Sequence, residues 1–341
     1  MAQPTNTIDR YDVDKSVRED LADIIYNISP EETPFMSNIG RGKASQTYFE
    51  WQTDSLEAAN EDNAQIEGDD APADTRSPTN RLGNYTQIMR KVVSVSGTAE
   101  AVVTAGMKKG VLAYHMAKAS AELKRDMEKR LTSGKAAVGG SSSVARQTAG
   151  FGAFLITNVN AAADGAPPEL SAGTDGYPDT ARTAGTPRNF TEAILKDVLQ
   201  KVWESGGNLD LLMVNGYQKG VVSGFPGIAE HRFNVSGAKQ ATIIGAADIY
   251  VGDFGNVSIV PNRFMPADVA YVVDPEYASV EYLRDFERSP LAKTGDSEKE
   301  MLIVEFGLKV NTEKAHGIAA DLSTTPLTED SGDGGDGGGG E

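Results

Sequence analysis

A long acidic interruption between two β-favouring runs constrains this chain more than any other feature. Residues 57–80 carry seven acids (Glu57, Glu61, Asp62, Glu67, Asp69, Asp70 and Asp74) against one base, Arg76, a net charge of −6. The interruption lies between YFEW, within Thr47–Trp51, and YTQIMRKVVSV, from Tyr85 to Val95. Both runs are rich in aromatic and β-branched residues that suit a pleated, half-buried surface. The pattern predicts a long hairpin whose two strands are separated by a large, polar, outward-reaching loop. A loop of about thirty residues with no core of its own is unusual in a compact domain and points to function or to a partner.

The rest of the charge repeats the theme. The whole chain of 341 residues has a formal net charge of −17, and residues 328–341 (TEDSGDGGDGGGGE) add five acids, no base and seven glycines. Neither acidic segment holds enough apolar surface to offset its ordering entropy, so both are expected to be exposed, the tail as solubilising sequence without a fold of its own. A hydrophobic content of 39% still supports a substantial core, and the length suggests about two domains. The basic residues Lys124, Arg125, Lys129 and Arg130 alternate with Glu122, Asp126 and Glu128. That reads as a mixed, solvated helix face, which disfavours specific nucleic-acid recognition.

Chemistry is sparse. With no cysteine, disulfides, thiolate metal sites and cysteine nucleophiles are excluded. His115, His231 and His316 are far apart in sequence, and His115 and His316 read as surface or packing residues without a second ligand nearby. The chain has no GxxxxGK[ST], HExxH or GxSxG, and Gly150-Phe151-Gly152 lacks the third glycine of a dinucleotide loop. The abundant glycines are expected in turns, and Trp51 and Trp203 as packing residues. No enzyme, cofactor or metal is expected. No apolar run is long enough to span a bilayer, and MAQPTNTIDRYD has no apolar signal core, so a soluble chain unprocessed by secretion is expected, with no membrane partner.

Along the chain, Tyr11, Val13, Val17, Leu21, Ile24 and Ile25 are spaced for one side of a short helix, with Pro30 and Pro34 breaking it. Leu112, Met116, Ala119, Leu123, Met127 and Leu131 make one apolar stripe on a helix over 107–132, about 39 Å long at ~1.5 Å per residue, ended by Ser133 and a left-handed Gly134. Residues 134–189, rich in Gly, Ala, Ser, Thr and Pro, read as an extended surface excursion, ordered only in part. Asn189 or Thr191 opens the next helix, with Ile194, Leu195, Val198, Leu199 and Val202 inward and a stop at Gly206-Gly207. An α/β region follows: a strand at 211–214, a short helix at 216–223, and strands near 241–244, 249–252 and 257–260. Strands at 269–273, 277–283 and 301–310 close the chain, the last two joined by a charged connection over 284–300. No internal repeat is visible.

This order of parts resembles the major capsid (major head) proteins of tailed bacteriophages. The likeness rests on TPFMSNIGRGKASQTYFEWQTDSL (33–56), NFTEAILKDVLQKVWESGG (189–207) and PLAKTGDSEKEMLIVEFGLKVNTEKAHGIAADL (290–322), and runs over roughly residues 8–322. It implies an α+β fold of the tailed-phage major capsid type. An N-terminal arm (1–43) and an extended-loop hairpin (44–96) precede a spine helix (97–133). An axial domain (134–265), peripheral-domain strands (266–322) and the acidic Gly-rich tail (323–341) follow. The resemblance further implies hexamers and pentamers of one chain forming an icosahedral head around double-stranded DNA, a virion shell assembled in the host bacterial cytoplasm. Portal, a separate scaffolding protein and a decoration or cement protein are the implied partners. No large N-terminal cleavage is expected, because the likeness begins near Ile8. Contacts between subunits are expected at Arg10, Tyr11 and Arg18 of the arm and at Tyr48, Trp51, Glu57, Glu61, Arg76, Arg81 and Tyr85 of the loop. In the connection they are expected at Arg284, Asp285, Arg288, Lys293, Asp296 and Lys299, with charges pairing between chains. In one relative a loop lysine attacks an asparagine of a neighbouring subunit; here no lysine lies between Lys43 and Lys91, so no such cross-link is expected. Two alternatives remain at this point: an encapsulin-like bacterial nanocompartment shell, and an α/β hydrolase or binding protein built on 190–260.

Overall fold

The computed structural model describes residues 32–68, 70, 78–102, 110–225, 249–293 and 295–326. The expected helix within residues 1–30, the strand near 241–244, His231 and the tail 328–341 lie outside the described residues. These residues fall into two compact units. One comprises the described parts of Lys91–Ser120 and Arg288–Leu302, and the other those of Glu31–Arg90, Ala121–Glu287 and Ile303–Glu341.

The chain begins with α1 (Pro34–Asn38) and β1 (Gly40–Lys43). Pro34 starts this helix, since a first-turn residue needs no amide donor and its φ is already helical. Strands β2 (Tyr48–Thr53) and β3 (Asn80–Tyr85) pair antiparallel from Tyr48↔Tyr85 to Thr53↔Asn80. The expected hairpin is therefore present, but its second strand lies earlier than its apolar pattern suggested. Beyond Tyr85 the chain passes through Thr86 into β4 (Gln87–Ser96), which belongs to another sheet. Thr86 makes the transition because its hydroxyl is buried and donates to Glu305 at 2.9 Å.

Helix α2 (Gly97–Ala101) is capped by the Ser96 hydroxyl, which accepts from Ala99 N–H, and Glu100 in turn accepts from the Leu112 amide. Helix α3 (Val111–Leu131) buries all six residues of the expected stripe, and its 21 residues span about 31 Å. Its polar side departs from expectation. Glu128 is fully buried and Arg130 nearly so: Arg130 donates to the carbonyls of Thr148 (2.8 Å) and Ala136 (3.0 Å). Gly134 does not adopt a left-handed conformation; Thr132 and Ser133 hydroxyls instead satisfy the last carbonyls, those of Glu128 and Arg130.

Residues 134–189 are described throughout, which corrects the reading of a partly ordered excursion. They contain β5 (Val159–Asn160), β6 (Glu169–Ala172) and β7 (Asp175–Thr180), and bury Phe151, Phe154 and Leu155. β7 pairs with β3, giving a four-stranded sheet of order β2-β3-β7-β6. Polar anchors replace apolar mass: Asp321 accepts from the amides of Ala162 and Gly185 and pairs with Arg182, while Asp164 takes the Thr186 amide and hydroxyl. Gly150 and Gly152 sit in a tight turn, the Ala153 amide donating to Gly150 O at 3.1 Å. A Cβ on Gly152 would lie 2.6 Å from the Tyr271 hydroxyl, so the run marks close packing.

Helix α4 (Glu192–Glu204) has Thr191 as N-cap, its hydroxyl accepting from Ile194 N–H, and Gly206 follows the helix at φ +87°. After it come β8 (Leu211–Val214), α5 (Gly216–Ser223), β9 (Ile249–Gly252), β10 (Gly255–Pro261) and β11 (Ala270–Val273). The closing strands are β12 (Ala278–Pro290), β13 (Ser297–Val310) and β14 (Gly317–Ala319). A six-stranded sheet of order β5-β14-β11-β8-β10-β9 forms the main core. Leu212, Val214, Ala270, Val272, Val257 and Ile259 pack against Leu195, Val198, Leu199 and Val202 of α4. Strand alternation sends Met213 and Tyr271 to the opposite face, where the Tyr271 hydroxyl donates to Thr132 O at 3.1 Å. Both central strands are buried on both faces, as their unbroken apolar runs require. The third sheet has the order β1-β12-β13-β4. The expected charged connection over 284–300 is mostly strand: β12 runs on to Pro290 and β13 resumes at Ser297.

Candidate functional site

Among the described residues the most distinctive surface feature is the hairpin. At its base Tyr48, Tyr85 and Tyr177 cluster, with ring centroids 4.8 Å (Tyr48–Tyr85), 5.0 Å (Tyr85–Tyr177) and 6.1 Å (Tyr48–Tyr177) apart. Partial burial and then the Glu50 carboxylate push the Tyr48 hydroxyl up to about 12, so it remains a hydrogen-bond donor. Trp51 is buried between Phe49 and Phe154, so it packs inside its own chain. Arg81 pairs loosely with Glu50 at 3.9 Å, and its amide donates to Asp175 at 2.7 Å.

Beyond this base the chain turns polar and open. Residues 54–68 and 70 are exposed, including Glu57, Glu61, Asp62, Glu67 and Asp70. Two apolar residues stand among them, Leu56 at 99% exposure and Ile66 at 79%. Arg76, like Arg10, Tyr11 and Arg18, lies outside the described residues.

The charged residues of the 284–300 region are engaged within the chain. Arg284 donates to Glu305 at 2.9 Å, beside Arg146 on the same carboxylate at 2.6 Å. Asp285 pairs with Arg41, Arg288 with Glu300, and Lys293 with Glu298 at 2.8 Å. Asp296 accepts the Gly97 amide through its carbonyl at 3.2 Å, and the Lys299 carbonyl accepts from Leu291 at 2.9 Å. Arg284, Asp285, Arg288 and Lys293 thus have ion-pair partners within their own chain. No periodic pattern announces these pairs, because the apolar alternation of the flanking strands fades over residues 284–300.

The remaining sequence candidates are structural. His316 is fully buried, its Nδ1 accepts the Asp274 amide at 3.2 Å, and its ring edge meets Phe151; burial lowers its pKa to about 4. Glu128, missed in the sequence, accepts from the amides of Phe35 (2.6 Å) and Met36 (3.0 Å) and from Asn262 (2.7 Å). It fastens α1 to the end of α3. Trp203 is not buried but 56% exposed, resting on Phe254 at 5.3 Å. Among the described residues no group of three His, Asp or Glu could hold a metal ion, and no helix is long and apolar enough to cross a membrane.

A long hairpin with a bare acidic end, one long helix and a sheet-centred α/β region define a shell-forming subunit of the tailed-phage capsid type. Solved structures share that fold. A cyanophage A-1(L) capsid chain aligns over 92% of this chain and 99% of its own, with a TM-score of 0.65 at 12% identity. An encapsulin from Synechococcus elongatus aligns over 95% and 99%, with a TM-score of 0.55 at 11% identity. The chain is also similar to a major capsid protein of Escherichia phage Phieco32, 30% identical over 355 residues, covering 93% of this chain and 97% of that protein. The SU10 major capsid protein family matches residues 3–323, and the chain belongs to that family. It is a phage major capsid protein, a component of the virion shell.

Proposed function

We propose that this capsid protein assembles as hexamers and pentamers into an icosahedral head that encloses double-stranded DNA, with the acidic loop and the N-terminal arm holding neighbouring subunits. One observation carries the reading: Leu56 and Ile66 are 99% and 79% exposed on a long acidic loop, left uncovered by the other described residues. Exposed apolar groups on an extension without a core gain stability only against another surface. On this reading residues 1–43 form the arm, 44–96 the extended loop, 97–133 the spine helix, 134–265 the axial domain, and 266–322 the peripheral strands. Arg10, Tyr11, Arg18, Glu57, Glu61 and Arg76 are the proposed contacts, together with Asp296 and Lys299. A separate scaffolding protein and a portal complete assembly in the host cytoplasm. The net charge of −17 suits a lining over which packaged DNA must slide, because it limits phosphate adhesion.

Negative-stain imaging and light scattering of the purified chain test this. Capsomers or closed shells are expected, and only a 36 kDa species at micromolar concentration and physiological salt would refute it.

A further inference from the structure

In a chain so acidic, one open groove is basic. It holds about 610 Å³ between the end of α3 and residues Arg263–Pro266. Lys129, Lys135 and Arg263 line it, are exposed, and form no ion pair among the described residues. Arg125 lies over the Phe264 ring on its wall at 5.4 Å, with its buried Nε atom unpartnered. Against the three exposed lining cations stands one lining acid, Asp126. Arg130 also lines the groove but is committed to the Thr148 carbonyl.

The position of the chain's last described residues points to the occupant. Leu322 donates its amide to Asp268 O at 2.8 Å, and Gln218 Nε2 donates to both Ala267 O (3.1 Å) and Ser323 O (2.9 Å). The chain therefore leaves the described region beside the loop whose first half, Arg263–Pro266, forms the groove wall. Beyond it, residues 327–341 hold five acids and no base. Fifteen residues can reach up to about 50 Å when extended. Tethering next to the groove gives such a segment a high local concentration, so weak charge pairing suffices for occupancy. We infer that the basic groove at the end of α3 is the docking site of the chain's own acidic segment 327–341. That occupancy pairs the groove's cations with carboxylates of the same chain. It does not depend on the assembly reading, since both partners lie within one chain.

A zero-length carbodiimide cross-link tests this on the full-length protein, because it joins a carboxylate only to an amine already in contact with it. In a mixture of unlabelled and ¹⁵N-labelled chains, links from Lys129 or Lys135 to Glu329, Asp330, Asp333, Asp336 or Glu341 are expected within single-label species. They should fall at least about five-fold in 0.5 M salt, where screening shortens the Debye length to a few ångströms. Arg263→Glu, which leaves both lysines in place, should reduce them by a similar factor. Absence of these links while others form would overturn the proposal, as would links mainly between differently labelled chains, which make a second copy the occupant. Links that appear only after nuclease treatment would assign the groove to nucleic acid, and links indifferent to Arg263→Glu would show that charge does not guide the contact.

Discussion

At Glu128 two physical demands conflict. Burial raises the pKa of the acid, whereas the amides of Phe35 and Met36 and the Asn262 side chain all donate to it and favour the carboxylate. An amide in its place offers one acceptor oxygen and turns an N–H₂ toward a donor. Glu128→Gln is therefore expected to lower stability by about 1–3 kcal/mol, the cost of one buried donor left unpaired. Urea unfolding of the purified chain would show it, and an unchanged or raised midpoint would mean that the neutral form already prevails. His316 gives the opposite pH behaviour from that of a paired histidine. Its pKa is depressed by burial from 6.5 to about 4, so the unfolded chain binds a proton in that interval and the folded one does not. The stability contribution is complete above pH 6.5 and declines as pH falls toward 4, by about 3 kcal/mol in all. His316→Gln should be less stable at pH 7 yet should lose about that much less between pH 7 and 4. Parallel melting-temperature profiles for the two proteins would contradict the assignment. Asp321, whose pKa is lowered by the Ala162 and Gly185 amides and Arg182, loses its contribution only below the ordinary carboxylate range, so the two effects separate in pH.

Elements differ in how openly the sequence announced them. Helices α3 and α4 were legible because their apolar spacing outlasts several turns, β8 and β11 because their runs are short, apolar and bounded, and β13 because its apolar residues alternate over 302–310. The misread segments were those held by polar side chains across long sequence separations. Asp321 fixing residues 162–185 and Glu305 gathering Thr86, Arg146 and Arg284 leave no periodic trace. The split of 85–95 into two strands was hidden for the same reason, since Thr86 looks like any strand threonine until Glu305 is placed beside it. Of the assembly surface, the sequence revealed the acidic loop but not that its hairpin base is sealed by Trp51 and the tyrosine cluster. That division yields a test. Leu56→Ser with Ile66→Ser removes apolar groups that stand largely exposed among the described residues, so unfolding of the unassembled chain should change by no more than about 0.5 kcal/mol. Sedimentation should meanwhile show shells or capsomers sharply reduced. A chain that is equally destabilised, or that assembles normally, would place those residues elsewhere than at a subunit contact.

At the scale of the whole molecule the question is what holds a shell of such subunits together. Cross-linking of the lysine–asparagine kind needs a neutral amine held against an amide carbonyl, with a carboxylate to take up protons. The loop offers no amine, because no lysine lies between Lys43 and Lys91, and arginine side chains do not supply the amine this chemistry needs. Disulfides are excluded by the absence of cysteine. Arg284, Asp285, Arg288 and Lys293 have partners within their own chain, so any ion pair they make between chains must share or displace those partners. Cohesion on this account falls to burial of apolar surface such as Leu56 and Ile66 and to whatever the N-terminal arm and any decoration protein add. Such contacts are non-covalent and dissolve when the chain unfolds. Boiled particles on a denaturing gel should therefore run as one band of monomer size. A ladder of dimers, pentamers and hexamers surviving the detergent would require a covalent chemistry that these residues do not provide.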